Sequence, residues 1–173
     1  MNVNFIRFMV TKTQDYLVQK VRSGDVKVFT KRQDLASGAT TYYYIENDFD
    51  DREIELESFT VIAGAKTFAD IHKNVDVESN GSQMNSFNSR VGSSEETDLV
   101  RRYGGSYSNL DSNPLEDAIP GGEGGTGARA NVAGAHGEGN TISIPPGNNV
   151  LVEFENVSSS DSYIAPRFVV VEK

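Results

Sequence analysis

Val150, Val152 and Phe154 alternate with Leu151, Glu153 and Glu155, the period of a half-buried strand. Phe168 and Val170 carry that period to the end of the chain. Between the two runs, Ser158 to Ser162 reads as a turn. Ahead of them, Pro145-Pro146-Gly147 cannot continue a strand, because two backbone donors are missing and glycine favours a turn. The pattern predicts a closing β-hairpin that ties the C-terminus into a sheet.

The same alternation recurs upstream. Val26, Val28 and Thr30 alternate with Lys27, Phe29 and Lys31. Thr40 to Ile45 is rich in β-branched and aromatic residues, which favour strands. Ile54 and Leu56 point inward while Glu53, Glu55 and Glu57 point outward. From Ser58 to Ala63 the chain is apolar on both sides, so the strand either bulges near Ser58 or is covered on both faces. Thr67 to Val77 supplies one more strand or two, and Asp98 to Tyr103 another. Eight or so short strands with close turn signals and little helix predict an all-β sandwich or jelly roll. Residues 1–22 fit less well. Phe5, Ile6, Phe8, Met9 and Val10 are apolar on both strand faces, and 15–22 suits a strand or two helical turns. They read as an N-terminal arm that packs on a neighbour, with Phe5 and Phe8 as contacts, or as the first strand of the same sandwich. Residues 23–173 form the sandwich domain.

Composition narrows the function. Net charge is −9, which repels a phosphate backbone, and it suits either free copies kept apart and soluble or a high-salt habitat. No nucleic-acid partner is expected. Zero cysteines exclude a disulfide framework, a thiolate nucleophile and a cysteine zinc site. No run of 18 apolar residues exists, so no helical membrane span is expected, and the N-terminus is a poor signal peptide. Bulky packing must come from 9 Phe and 7 Tyr, since there is no Trp. Of the 16 glycines, 11 lie between Gly104 and Gly147, marking a long loop of the kind that is either functional or disordered.

The candidates for chemistry are sparse. Pro120 to Gly127 has the glycine density of a phosphate loop but no Gly-Lys-Ser/Thr and no following helix pattern. His72 and His136 have no ligand spacing, and no Gly-x-Ser-x-Gly frames a nucleophile. Asp48, Asp50 and Asp51 are the densest carboxylate cluster and the one weak metal candidate, though the spacing of a calcium loop is missing. Glu53, Glu55 and Glu57 share one strand face, unlike the opposed carboxylates of a glycosidase. They suit a solvated face, or a basic patch such as Arg101-Arg102 or Lys31-Arg32. Tyr43 and Tyr107 are candidate exposed contacts that could stack on sugars. No catalytic residue and no cofactor is expected.

The order of segments carries a resemblance. Ser23 to Arg32 is followed by Ser37 to Tyr44, the strand Ile54 to Ile62, and a polar Asn-rich segment ending Asn85 to Arg90. A glycine-rich insert then leads into Pro145 to Asn149 and Val150 to Val157. Over residues 23–173 this resembles small β-sandwich structural proteins of tailed viruses of bacteria and archaea, found with head and neck genes. Asn85 to Arg90 matches that group's Asn-Arg-Asn-like segment only in part, and the final strand lacks its frequent aromatic ending. The resemblance implies a virion protein, not an enzyme, bound to the major capsid protein or other virion proteins. It implies head decoration by a homo-oligomer, a trimer or pentamer. The alternatives are a neck, collar or tail component of the virion, and, from another class, a carbohydrate-binding adhesin module.

Overall fold

The computed structural model describes residues 16–92, 97, 99–112, 115–119, 128–132 and 141–173. Phe5, Phe8, His136 and the glycine-rich centre Pro120 to Gly127 lie outside the described residues. Residues 16–23 form a helix, α1, the helical option of the two open for this stretch. Leu17, Lys20 and Val21 are its half-buried side, at helical spacing. It stops at Gly24, whose φ of 90° only glycine adopts at no cost. The Gly24 amide donates to Val21 O and the Asp25 amide to Lys20 O, a paired C-terminal cap. Lys20 Nζ donates to Glu172 O and Tyr16 Oη to Glu55, so this helix lies against its own chain.

The other elements among the described residues are strands, as the alternation predicts. One antiparallel sheet, sheet I, contains β1 (Val26–Thr30), β2 (Gln33–Leu35), β4 (Ile54–Ala63), β8 (Asn85–Asn88), β12 (Ala128–Val132), β13 (Ile142–Ile144) and β15 (Ser162–Glu172). Sheet II contains β3 (Thr40–Glu46), β5 (Thr67–Lys73), β7 (Ser82–Gln83), β9 (Val100–Tyr103), β11 (Leu115–Ile119) and β14 (Asn149–Asn156). A two-stranded ribbon pairs β6 (Asp76–Ser79) with β10 (Ser106–Ser108).

The framework strands alternate between sheets. β1, β15 and β4 are neighbours in that order, with β12 and β13 sharing the far side of β4. In the other sheet the order is β3, β14, β5, β11. The last two strands therefore each slot between two early ones, the winding of a jelly roll. Residues 74–112 are an insertion between β5 and β11. They add the ribbon, two strands at the edge of sheet II, and β8 at the edge of sheet I.

The predicted closing hairpin is corrected here. β14 pairs with β3 and β5, while β15 pairs with β1, β2 and β4, so these consecutive strands do not pair with each other. The Ser158 to Ser162 turn is a corner between sheets. Pro145-Pro146-Gly147 is another, carrying the chain from β13 to β14. Of the two readings open near Ser58, the bulge is present: Val169 faces Ser58 but Val170 faces Leu56, leaving Glu57 as the extra residue. This shift lets Ile54 and Leu56, then Phe59, Val61 and Ala63, all reach the core.

Four aromatic rings form the centre of that core. Tyr43 meets Phe154 at 5.6 Å and Phe168 at 5.9 Å, and Phe59 meets the same two rings at 6.4 and 5.4 Å. All four are fully buried. Edge-on and tilted aromatic pairs at these separations add about 0.5–1.5 kcal/mol each beyond area burial.

Candidate functional site

The densest cluster of functional side chains sits on the outer face of sheet II. Strand alternation turns Thr67, Ala69 and Ile71 of β5 inward, leaving His72 on the other side. Leu151 faces His72 across β14, and Tyr44 faces Leu151 across β3. The ribbon then lays Tyr107 over this face. Its ring stacks on Tyr44 at 5.3 Å and meets Tyr42 edge-on at 5.5 Å. Val75 and Leu151 complete the apolar floor.

The polar groups of the cluster are held in place. His72 is 3% exposed, and its Nε2 lies 3.1 Å from Glu153 Oε2. The Tyr44 hydroxyl donates to Glu46 at 3.0 Å. Among the described residues, His72 Nδ1 and the Tyr107 hydroxyl are enclosed with no hydrogen-bond partner. Burial pushes the Tyr107 phenol up to about 12, against the pull of Arg102. Burial, then the Glu46 carboxylate, raises Tyr44, and burial, then Glu153, raises Tyr42. Raised in this way, the phenols stay protonated at physiological pH; they pack against one another, and Tyr44 donates to Glu46. A His–Glu pair resembles two thirds of a hydrolytic triad, but no hydroxyl of the described residues is bonded to His72. The arrangement does structural work: it fastens the inserted ribbon to the jelly roll.

The expected contact residues fare differently. Tyr43 is not an exposed contact. It is fully buried between the sheets, and its hydroxyl donates to Lys31 O at 3.0 Å. Alternation correctly separates it from Tyr42 and Tyr44, but the central aromatic cluster takes it inward. Tyr107 is half-buried with its hydroxyl enclosed, not an open sugar platform. Asp48, Asp50 and Asp51 are all exposed, and among the described residues no three carboxylates or imidazoles converge as a metal site would require. Glu53 and Glu55 meet Lys173, instead of Arg101-Arg102 or Lys31-Arg32. Burial, then Glu55, pushes the Glu57 carboxyl above its usual value.

Two asparagines were not singled out from the sequence and organise the corners. Asn47, in the acidic loop, donates to Arg52 O and Ile144 O and accepts from the Phe49 amide. Asn156 donates to Leu35 O, Ala36 O and Ser160 O and accepts from Ser158. Both are fully buried. Their signal was a polar residue ending an apolar strand beside a turn, which is common at exposed loops too. A groove of about 200 Å³ beside β13 is lined by Lys73, Asn74, Ser143, Pro145 and Asn149. Its amides are already used: Asn149 both donates to and accepts from Val75, and Asn74 accepts from the Asn149 amide.

No helix among the described residues is long and apolar enough to cross a membrane. No known protein family and no curated protein matches the chain.

Proposed function

We propose that this is a non-enzymatic structural protein of a virion, decorating the outer head surface of a tailed virus as a homo-oligomer in contact with the major capsid protein. The observation that carries the reading is the solid jelly-roll interior. Tyr43, Phe59, Phe154 and Phe168 fill the space between the sheets, so binding is left to outer faces, loops and edges. Jelly rolls serve in capsids and lectins alike, so the fold supports the reading by analogy only. The acidic surface adds to it. Copies carrying −9 each stay apart in solution and settle where many modest contacts on a symmetric shell act together.

Sedimentation of the purified protein with virus shells tests this, with copies per particle counted by quantitative mass spectrometry. Head decoration requires co-sedimentation and hundreds of copies. One or two rings of copies would move the protein to the neck, collar or tail. Failure to bind shells, with binding to isolated glycans instead, would replace the reading with the adhesin class.

A further inference from the structure

Lys27 carries an amine into the interior. Strand alternation puts it on the core face of β1 with Phe29, and its side chain is 3% exposed. Directly opposite it stand the fully buried Val170 on β15 and the half-buried Asn88 on β8. The ammonium lies 3.9 Å from Glu172 Oε2, an ion pair too long to be a hydrogen bond. A charge enclosed on these terms is costly, since only close pairing and hydrogen bonds offset its burial. Glu172 is fixed in place. Its Oε1 accepts from Thr97 Oγ at 2.6 Å, its amide donates to Asp25 O, and its carbonyl accepts from Lys20.

Asn88 meets Lys27 from the other side. The Ser89 amide donates to Val26 O, and antiparallel bonding alternates. Lys27 and Asn88 are therefore a pair without mutual backbone bonds, the kind whose side chains stand closest. Ser86, two residues earlier on the same face, accepts from Arg101 at 3.0 Å, and Arg101 lies over the Phe29 ring, which marks this face as the inner one. Met84, 2% exposed, seats the start of the segment in the core, with its amide on Arg101 O. The Asn88 carboxamide is oriented as well. Its Nδ2 donates to Gly24 O at 3.1 Å, and its Oδ1 accepts from the Arg90 amide at 2.9 Å. A backbone donor on that oxygen stabilises the charge that develops when an amide carbonyl is attacked.

We infer that Lys27 and Asn88 are a self-modification site, where the folded chain joins Lys27 Nζ to Asn88 Cγ through an amide bond, with Glu172 as the proton acceptor. Glu172 takes one proton from the Lys27 ammonium and frees the nitrogen lone pair. That nitrogen bonds to Asn88 Cγ. The bond from Cγ to Nδ2 breaks, and Nδ2 leaves as ammonia with a second proton from the lysine nitrogen. Glu172 is left protonated, in a pocket that has lost its cation. Nothing is oxidised or reduced, and no co-reactant is needed. A deprotonated lysine amine is a competent nucleophile, and neighbours held side by side gain the advantage of proximity. The product removes a buried charge and ties the insertion of residues 74–112 to the jelly roll. In a chain without cysteine it would constrain the unfolded state as a disulfide does. The inference goes beyond the virion reading and does not depend on it.

Mass spectrometry of the intact, denatured full chain tests it. The wild type should weigh one ammonia less than its sequence requires, and a protease digest should release the peptides of Lys27 and Asn88 as one joined species. Lys27→Arg and Asn88→Ala should each have the full mass of their own sequences. Glu172→Gln should as well, because it cannot take the proton. Circular dichroism on each variant confirms the fold. A wild type of full mass overturns the inference, and that measurement needs no variant. So does ammonia lost while the two peptides stay separate, or lost equally from Lys27→Arg, since the loss then lies elsewhere. A cross-linked Glu172→Gln overturns the part given to Glu172.

Discussion

His72 Nε2 lies 3.1 Å from Glu153 Oε2, on neighbouring strands of sheet II and 81 residues apart in the chain. The imidazole side chain is 4% exposed and the carboxylate 22%. A buried polar pair of this kind specifies position more than it adds energy, because each partner is costly once the other is gone. We predict that His72→Ala and Glu153→Ala each destabilise, and that a double-mutant cycle in urea gives a coupling of about 1 kcal/mol. Additive single effects would refute a direct interaction.

The tyrosine cluster predicts alkaline sensitivity. Tyr107 ionises in the fold at about 12 rather than 10.0, and Tyr42, Tyr43 and Tyr44 are raised as well, chiefly by burial. A raised folded value means the native state holds its proton after the unfolded state has lost it. This stability is fully present below pH 10 and declines as pH rises beyond it. Absorbance titration of the native protein should therefore show these four phenols titrating together with loss of β-structure. Smooth ionisation of all 7 tyrosines near 10 in a folded protein would contradict the packing.

Glu57, the bulge residue, follows the same rule at acid pH. Burial and the neighbouring Glu55 raise its carboxyl above 4.5, so the native state binds its proton more tightly than the unfolded chain. Its ionisation then costs stability, and the cost appears as pH rises from 4.5 through the folded value. Glu57→Gln should stabilise the protein near neutral pH by about 0.5 kcal/mol or less, and change little at pH 4. Thermal melts at both pH values check the sign.

These groups also mark what could be read from the sequence. Alternation at Ile54 and Leu56 showed the strand, but the apolar run from Phe59 left a bulge and cover on both faces as equal readings, because a one-residue slip and a doubly covered strand leave the same pattern. The Tyr42–Tyr44 run gave relative directions but not which side is the core. That depended on Phe59 and Phe168, brought in from distant strands. The closing hairpin failed for a related reason. A short turn favours pairing of its flanking strands, but the jelly roll sends them to different sheets. The carbonyls gathered by Asn156 hold that corner. His72 was visible as a residue and not as a pair, since nothing local points from it to Glu153.

The two corner asparagines should therefore be among the most sensitive positions. Asn156→Ala removes a donor shared by three carbonyls and an acceptor for Ser158, in a site closed to water. A loss of about 3 kcal/mol is expected. Asn156→Asp should be nearly as harmful, since it keeps the shape but presents oxygen to oxygen. Urea denaturation of both variants measures this, and a benign Asp variant would mean the corner is wetter than its burial indicates.

Gly81 sets the limit on how the β7 and β8 edge is held. A Cβ there would lie 2.1 Å from Tyr103 O, a backbone atom that cannot swing aside. Ser82 and Gln83, directly after it, pair with Tyr103 and Arg102. Gly81→Ala should therefore push β7 off β9 while leaving the central strands intact. Hydrogen exchange would report this as lost protection around β7 and β9, with β4, β14 and β15 unchanged. Because Met84 anchors the same segment in the core, the damage should be confined to this side of the sandwich. Uniform loss of protection across both sheets would show instead that the edge and the core unfold as one unit.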